Sequence, residues 1–281
     1  MLFGDYRIEV VPDTEFRLDG GAMFGVVPRN LWQKVAEPDE QNRVRLNMNC
    51  LFIETERERI LIETGIGEKW SEKQAALYGI TRERPFAESL KAITGYAPED
   101  ISIVVNTHLH FDHAGGNTRL DEAGRVIASF PNARYFVSRA ELLHAERPHE
   151  RDRASYLSEN WRPVEETGQL ELKMDEYEVA PGLRMETIAG HSRTMQCARL
   201  NRNDQTLFCF ADLVPTRAHV PAAWIMGYDL YPVETLEAKK RLLSQAAREN
   251  WLCLFYHDAE APLCRVIEED GKLRAVGCEE K

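Results

Sequence analysis

The nine residues His108–Gly116 read H-L-H-F-D-H-A-G-G, directly after an apolar run, I-S-I-V-V-N, over Ile101–Asn106. Three of the chain's eight histidines and one aspartate fall within six residues. A buried strand ending in this way delivers imidazoles and a carboxylate to one edge of a sheet, so the fold must be one that can use such an edge. If strand geometry persists briefly, His108 and His110 point the same way, because residues two apart share a face. The chain must then turn, and Asp112 and His113 address a different point. Gly115 and Gly116 relieve crowding where the backbone bends. Imidazole nitrogen and carboxylate oxygen suit zinc and similar divalent ions. One short loop could thus serve two nearby metals.

The rest of the chain alternates β-rich and helical segments in two loosely similar halves. L-N-M-N-C-L-F-I-E-T and R-I-L-I-E-T-G are two β runs joined by the charged turn E-R-E-R, which predicts a hairpin. Helical patterns fall at Ser71 to Tyr78 and Pro85 to Ile93, and Ser138-Arg139-Ala140-Glu141 is a capping-box signature for another helix. The charged and aromatic stretch His149 to Trp161 is expected to lie as a helix over the surface. A longer amphipathic helix spans about Pro232 to Asn250, with Leu236, Leu242, Leu243, Ala246 and Ala247 on one stripe. A terminal hairpin turns at Asp270-Gly271. No linker divides the halves, so residues 1–281 are expected to form a single α/β domain, with a substrate-side loop inside residues 1–45.

Composition excludes several classes. The net charge of −11 and the absence of any Lys/Arg block argue against a nucleic-acid partner. No run approaches the roughly 18 apolar residues of a membrane span. The start, M-L-F-G-D-Y-R, lacks the pattern of a secretion signal. The six cysteines contain no C-x-x-C pair, so reduced thiols in a cytoplasm are expected.

Further ligands should come from other strand ends. His191 follows R-M-E-T-I-A-G, Asp212 ends L-F-C-F-A-D, and His257 ends L-C-L-F-Y-H. Each alone reads equally well as a turn cap or a solvent-facing polar residue. Taken in order, however, H-L-H-F-D-H-A-G-G, A-G-H-S, F-A-D-L and Y-H-D resemble the metallo-β-lactamase-fold hydrolases. The resemblance runs from about Asn47 to Asp258. It implies an αββα sandwich with a dinuclear site at one edge, holding two divalent metal ions, Zn2+ first among them. His108, His110 and His191 would hold the first metal, Asp112, His113 and His257 the second, and Asp212 would bridge. Glu63 would stand behind the ligands. His110, where flavodiiron oxidoreductases of this fold carry Glu, favours redox-inert zinc and hydrolysis.

The segments D-G-G-A-M-F-G-V-V-P-R-N-L-W and L-I-E-T-G-I-G resemble more narrowly the N-acyl homoserine lactone lactonases of quorum-quenching type and their methyl parathion hydrolase-like relatives. There are three departures. Glu63 replaces the usual Asp and is one methylene longer. Pro215 stands where the lactonases carry a tyrosine. Ala211 replaces a glycine before the bridging aspartate, a change that looks harmless. The resemblance implies a lactone or ester substrate and suggests a homodimer. Phe24, Trp224, Met226 and Tyr228 lie in loop-like segments that could line an apolar mouth or pack against each other, and His219 could reach the site from behind. The expected reaction is attack by a metal-bound hydroxide on a lactone carbonyl, with Asp112 orienting the nucleophile and passing its proton on. A phosphotriesterase or aryl-ester hydrolase is the next reading, and a metal-binding scaffold without turnover comes from another class.

Overall fold

The computed structural model describes residues 1–278. Two seven-stranded sheets carry the chain. The first runs, in spatial order, Leu2–Phe3, Tyr6–Asp19, Arg43–Glu54, Arg59–Ile62, Ile103–Val105, Arg134–Ser138 and Leu170–Lys173. The second runs in chain order from Glu176–Ala180 through Leu183–Thr187, Gln196–Arg202, Gln205–Cys209, Leu252–Leu254 and Leu263–Glu269 to Lys272–Gly277.

Alternation along the strands explains the layering. Ile103 and Val105 face the second sheet and join Ile8, Ile53, Ile60 and Ile62 against Leu183, Met185, Leu200, Leu207 and Leu254. Val104, between them, faces the opposite way and packs in a separate cluster with Leu90 of the helix Phe86–Thr94. The outer face of the second sheet is covered by the helix Pro232–Arg248, whose Ala238, Leu242, Leu243 and Ala246 meet Phe208, Cys253 and Phe255. The result is helix, sheet, sheet, helix: the expected αββα sandwich.

The predicted hairpins and helices form close to their expected bounds. Ser71 caps Glu72–Leu77 with a full capping box, and Ser138 accepts from the Glu141 amide at the start of Arg139–Glu146. The segment 149–161 does not form the expected α-helix. It makes two short 3-10 turns, Arg153–Ser155 and Ser158–Asn160, around an extended Tyr156. Tyr156 forms a β-bridge to His110, and that pairing is incompatible with a continuous helix.

The strand ends converge because two glycine-bearing loops interlock. Gly65 bridges Ala114, and Gly116 donates its amide to the Gly65 carbonyl at 3.2 Å. A Cβ on Gly115 would run into the Ile66 carbonyl, and one on Gly116 into that of Thr64. The A-G-G of the histidine motif is therefore required by backbone contact with T-G-I-G.

Candidate metal centre

His108 follows the strand Ile103–Val105 by three residues, His110 is extended, and the chain turns helical over Phe111–Ala114. This change of geometry splits the motif. His108 Nε2 and His110 Nδ1 lie 3.1 Å apart, and His191 Nε2 lies 3.1 Å from the same His110 nitrogen. His113 is swung to the other side, with Asp112 and His257. Asp212, on the turn after Gln205–Cys209, sits between them. Its Oδ2 lies 3.4 Å from His191 Nε2 and 3.9 Å from His108 Nε2. Its Oδ1 lies 3.2 Å from His113 Nε2 and 3.1 Å from His257 Nε2. Asp112 Oδ2 lies 3.6 Å from His257 Nε2. All seven side chains are buried. The structure thus brings together every residue that the sequence nominated for this cluster.

The outward ring nitrogens are held from behind. His108 Nδ1 meets Thr107 Oγ1 at 3.0 Å, His257 Nδ1 meets the Asn47 carbonyl at 2.9 Å, and His113 Nδ1 meets Glu63 Oε1 at 3.2 Å. His191 Nδ1 meets Asp229 Oδ1 at 3.0 Å, and Thr235 donates to the other Asp229 oxygen at 2.7 Å. Such contacts fix ring orientation and tautomer. Glu63 stands behind His113 at a φ of 66°. Aspartate tolerates that left-handed region better than most residues.

The cluster fits divalent cations on its own chemistry. His113 Nε2 and Asp212 Oδ1 are buried and face each other at 3.2 Å without hydrogen-bond geometry, and His110 Nε2 is buried with no hydrogen-bond partner, a cost that a protein rarely leaves unmet. Burial, with neighbouring imidazoles, pushes His108 and His110 well below the usual histidine range. Burial works against protonation of His113 too, but Asp212 and Glu63 outweigh it and raise that ring. Burial also opposes ionisation of Asp212, yet His113, His257 and His191 hold its carboxyl well below the carboxylate range. A buried anion ringed by imidazoles draws positive charge, met by a proton on His113 where no cation is bound. Buried imidazole and carboxylate donor sets of this kind suit zinc and similar divalent ions.

The residues proposed for the substrate side are placed unevenly. Phe24 is stacked between Trp32 and His219, at centroid distances of 5.2 and 4.7 Å, with Trp224 edge-on at 5.8 Å. Phe24, Met226 and His219 are buried, whereas Tyr228 is 38% exposed. His219 makes contacts at both ring nitrogens, with Thr216 Oγ1 and the Met23 carbonyl, both at 2.8 Å. Its ring pins the loop rather than pointing at the cluster. A cavity of about 780 Å³ opens beside these rings, lined by Met23, Phe24, Thr216, His219 and Asp258 but by none of the seven converging side chains. Nearer Asp112, Phe111 packs against Tyr78 at 5.1 Å and Trp70 at 5.4 Å. That aromatic wall was not singled out in the sequence; Trp70 and Tyr78 there look like ordinary flanks of a short helix. Asp229 was missed as well, since an aspartate just before a helix reads as a cap.

Fold and cluster together define a chain built to hold metal at the edge of an αββα sandwich. The sequence matches the family described as the Metallo-beta-lactamase superfamily over residues 44–257. It is 30% identical over 246 residues to an N-acyl homoserine lactonase of Bacillus cereus, covering 81% of this chain and 88% of that one. A probable metal-dependent hydrolase from Staphylococcus aureus superposes with a TM-score of 0.90 at 31% identity, over 100% of both chains. AidC, a dizinc quorum-quenching lactonase solved with a product, superposes with a TM-score of 0.80 over 99% of this chain and 96% of that one; at 17% identity this is a likeness of fold. The chain belongs to the metallo-beta-lactamase superfamily and is a hydrolase.

Proposed function

We propose that the protein is a zinc-dependent lactonase of the acyl homoserine lactone type, acting as one domain over residues 1–281. His108, His110 and His191 would hold one Zn2+, Asp112, His113 and His257 a second, and Asp212 would lie between them. The observation that carries this reading is Asp212 itself, whose two oxygens each face a different pair of imidazoles. When bound, such cations supply Lewis acidity that lowers the pKa of a water from about 15.7 to about 7 and polarises a carbonyl.

The chain's own residues then act as follows. Asp112 orients the attacking water, accepts its proton and hands it to the ring oxygen as the acyl C–O bond breaks. The outer carbonyl and carboxylate partners keep His257, His113 and His191 in the tautomer that leaves Nε2 free. Phe111, Tyr78 and Trp70 form an apolar wall beside Asp112, suited to the acyl chain, and Tyr228 adds the most accessible ring of the expected mouth. Phe24, Trp224, Met226 and His219 support that mouth as a packed base. The lactonase name of the Bacillus cereus relative, 30% identical to this chain, supports this substrate.

The test is parallel turnover of an N-acyl homoserine lactone, an aryl ester and a paraoxon-like triester by the zinc-loaded protein. Ring-opened acid formed with the highest kcat/KM of the three supports the proposal. A preference for the triester or the aryl ester moves the chain to the corresponding hydrolase class, and no turnover of any leaves a metal-binding scaffold.

A further inference from the structure

Glu141 looks from the sequence like the far half of a capping box. Its carboxylate does something else. It is fully buried, and its Oε1 accepts from the Leu109 amide at 2.8 Å and from the Tyr156 hydroxyl at 3.1 Å. Its Oε2 accepts from Thr194 Oγ1 at 2.5 Å. The three donors lead to three histidines between them. Leu109 is the residue between His108 and His110. Tyr156 lays its ring against His110, with centroids 4.6 Å apart. Thr194 closes the turn after His191, where Ser192 Oγ accepts from the Thr194 and Met195 amides at 3.2 and 2.9 Å. The Leu109 segment runs on to Asp112 and His113, but only through the separate helical turn Phe111–Ala114, and no hydrogen bond of Glu141 is made to that turn or to the segment carrying His257.

We infer that Glu141 is a positioning residue for the His108–His110–His191 trio alone, and that it couples the two chain segments from which that trio is drawn. The inference rests on the proposed two-metal reading and deepens it. Buried carboxylates accepting several hydrogen bonds lock the donors' geometry, and outer partners of this kind typically govern 10–100-fold in metal affinity. Here the effect falls on one of the two sites, because each donor adjoins one of its three histidines while the turn Phe111–Ala114 separates them from Asp112 and His113.

Glu141→Leu, close in volume and without acceptors, is expected to bind the first-trio metal about 10–100-fold more weakly, while the Asp112–His113–His257 site keeps its metal. Equilibrium dialysis against buffered zinc followed by metal analysis should give two ions for the wild type and one for the variant. Pairing identifies the site: Glu141→Leu with His191→Ala should still hold one ion, whereas Glu141→Leu with His257→Ala should hold none. Glu141→Gln keeps an acceptor for Leu109 and Tyr156 and can donate to Thr194, so it should hold both ions. Thr194→Val and Tyr156→Phe, each deleting one strut, should weaken the same single site and carry the test if the leucine variant fails to fold. Retention of both ions by Glu141→Leu, equal loss at both sites, or loss in Glu141→Gln would overturn the inference. A wild-type protein that binds no zinc would instead overturn the two-metal reading beneath it.

Discussion

Asp229 offers the sharpest reading of how the protein tunes its cluster from outside. Its Oδ1 lies 3.0 Å from His191 Nδ1, its Oδ2 accepts from Thr235, and the side chain is buried. The adjoining backbone reinforces it, with Leu230 donating to the His191 carbonyl and Tyr231 to that of Gly190, both at 3.0 Å. Asp229→Ala removes one charge-assisted hydrogen bond, worth about 1.5–3 kcal/mol. At about 1.4 kcal/mol per decade, that is roughly 10–100-fold in affinity, the same range found for outer partners of metal-binding histidines. Asp229→Asn keeps an acceptor for Nδ1–H and loses only the charge, so it should fall near the low end. The assay is zinc competition against a chelator of known affinity, alongside denaturant unfolding of the metal-free proteins. The alanine variant should lose zinc affinity at the site containing His191, with the asparagine variant between it and the wild type. Wild-type affinity in Asp229→Ala would refute the claim that this carboxylate holds the imidazole for metal.

Three further outcomes follow from the same structure. Asp212→Asn should weaken both sites at once and by more than the roughly 10–100-fold of an outer partner, read as two-step zinc release merging at higher free zinc; weakening of one step only would contradict a shared carboxylate. Burial lowers the pKa of His219 to about 3, against about 6.5 in the unfolded chain, so the unfolded state binds the extra proton between those values and stability falls as pH drops from 6.5 towards 3; His219→Gln, measured by urea unfolding across that window, should show a shallower acid loss. Ala211 sits at a φ of 47°, where an L residue costs roughly 1–2 kcal/mol, against about 0.5–1 kcal/mol of extra chain entropy for glycine; Ala211→Gly should therefore raise unfolding stability by up to about 1.5 kcal/mol, seen as a higher urea midpoint.

The seven converging residues were legible because strand ends are legible. An apolar run that stops at His, Asp or a turn fixes where a side chain must emerge, and the order of four such stops carried the family resemblance. What lay hidden was whatever depends on contacts between distant segments. Asp229 and Glu141 both have sufficient local explanations as helix caps, and only the folded chain turns them towards His191 and Leu109. The segment 149–161 has the composition of a surface helix, yet Tyr156 is drawn into a bridge with His110 by a pairing 46 positions away in the chain. Ala211 looks harmless by residue type, and its cost appears only with the backbone angle. His219 reads as a spare histidine near a metal motif, whereas the fold spends both its nitrogens on Thr216 and Met23.

The central claim is that one carboxylate separates two cation sites. It is tested most directly by crystals of the zinc-loaded protein and anomalous difference maps on either side of the zinc absorption edge. Two peaks are expected, one among His108, His110 and His191 and the other among Asp112, His113 and His257, each beside a different oxygen of Asp212. A single peak, or zinc bound away from these side chains, would contradict the account.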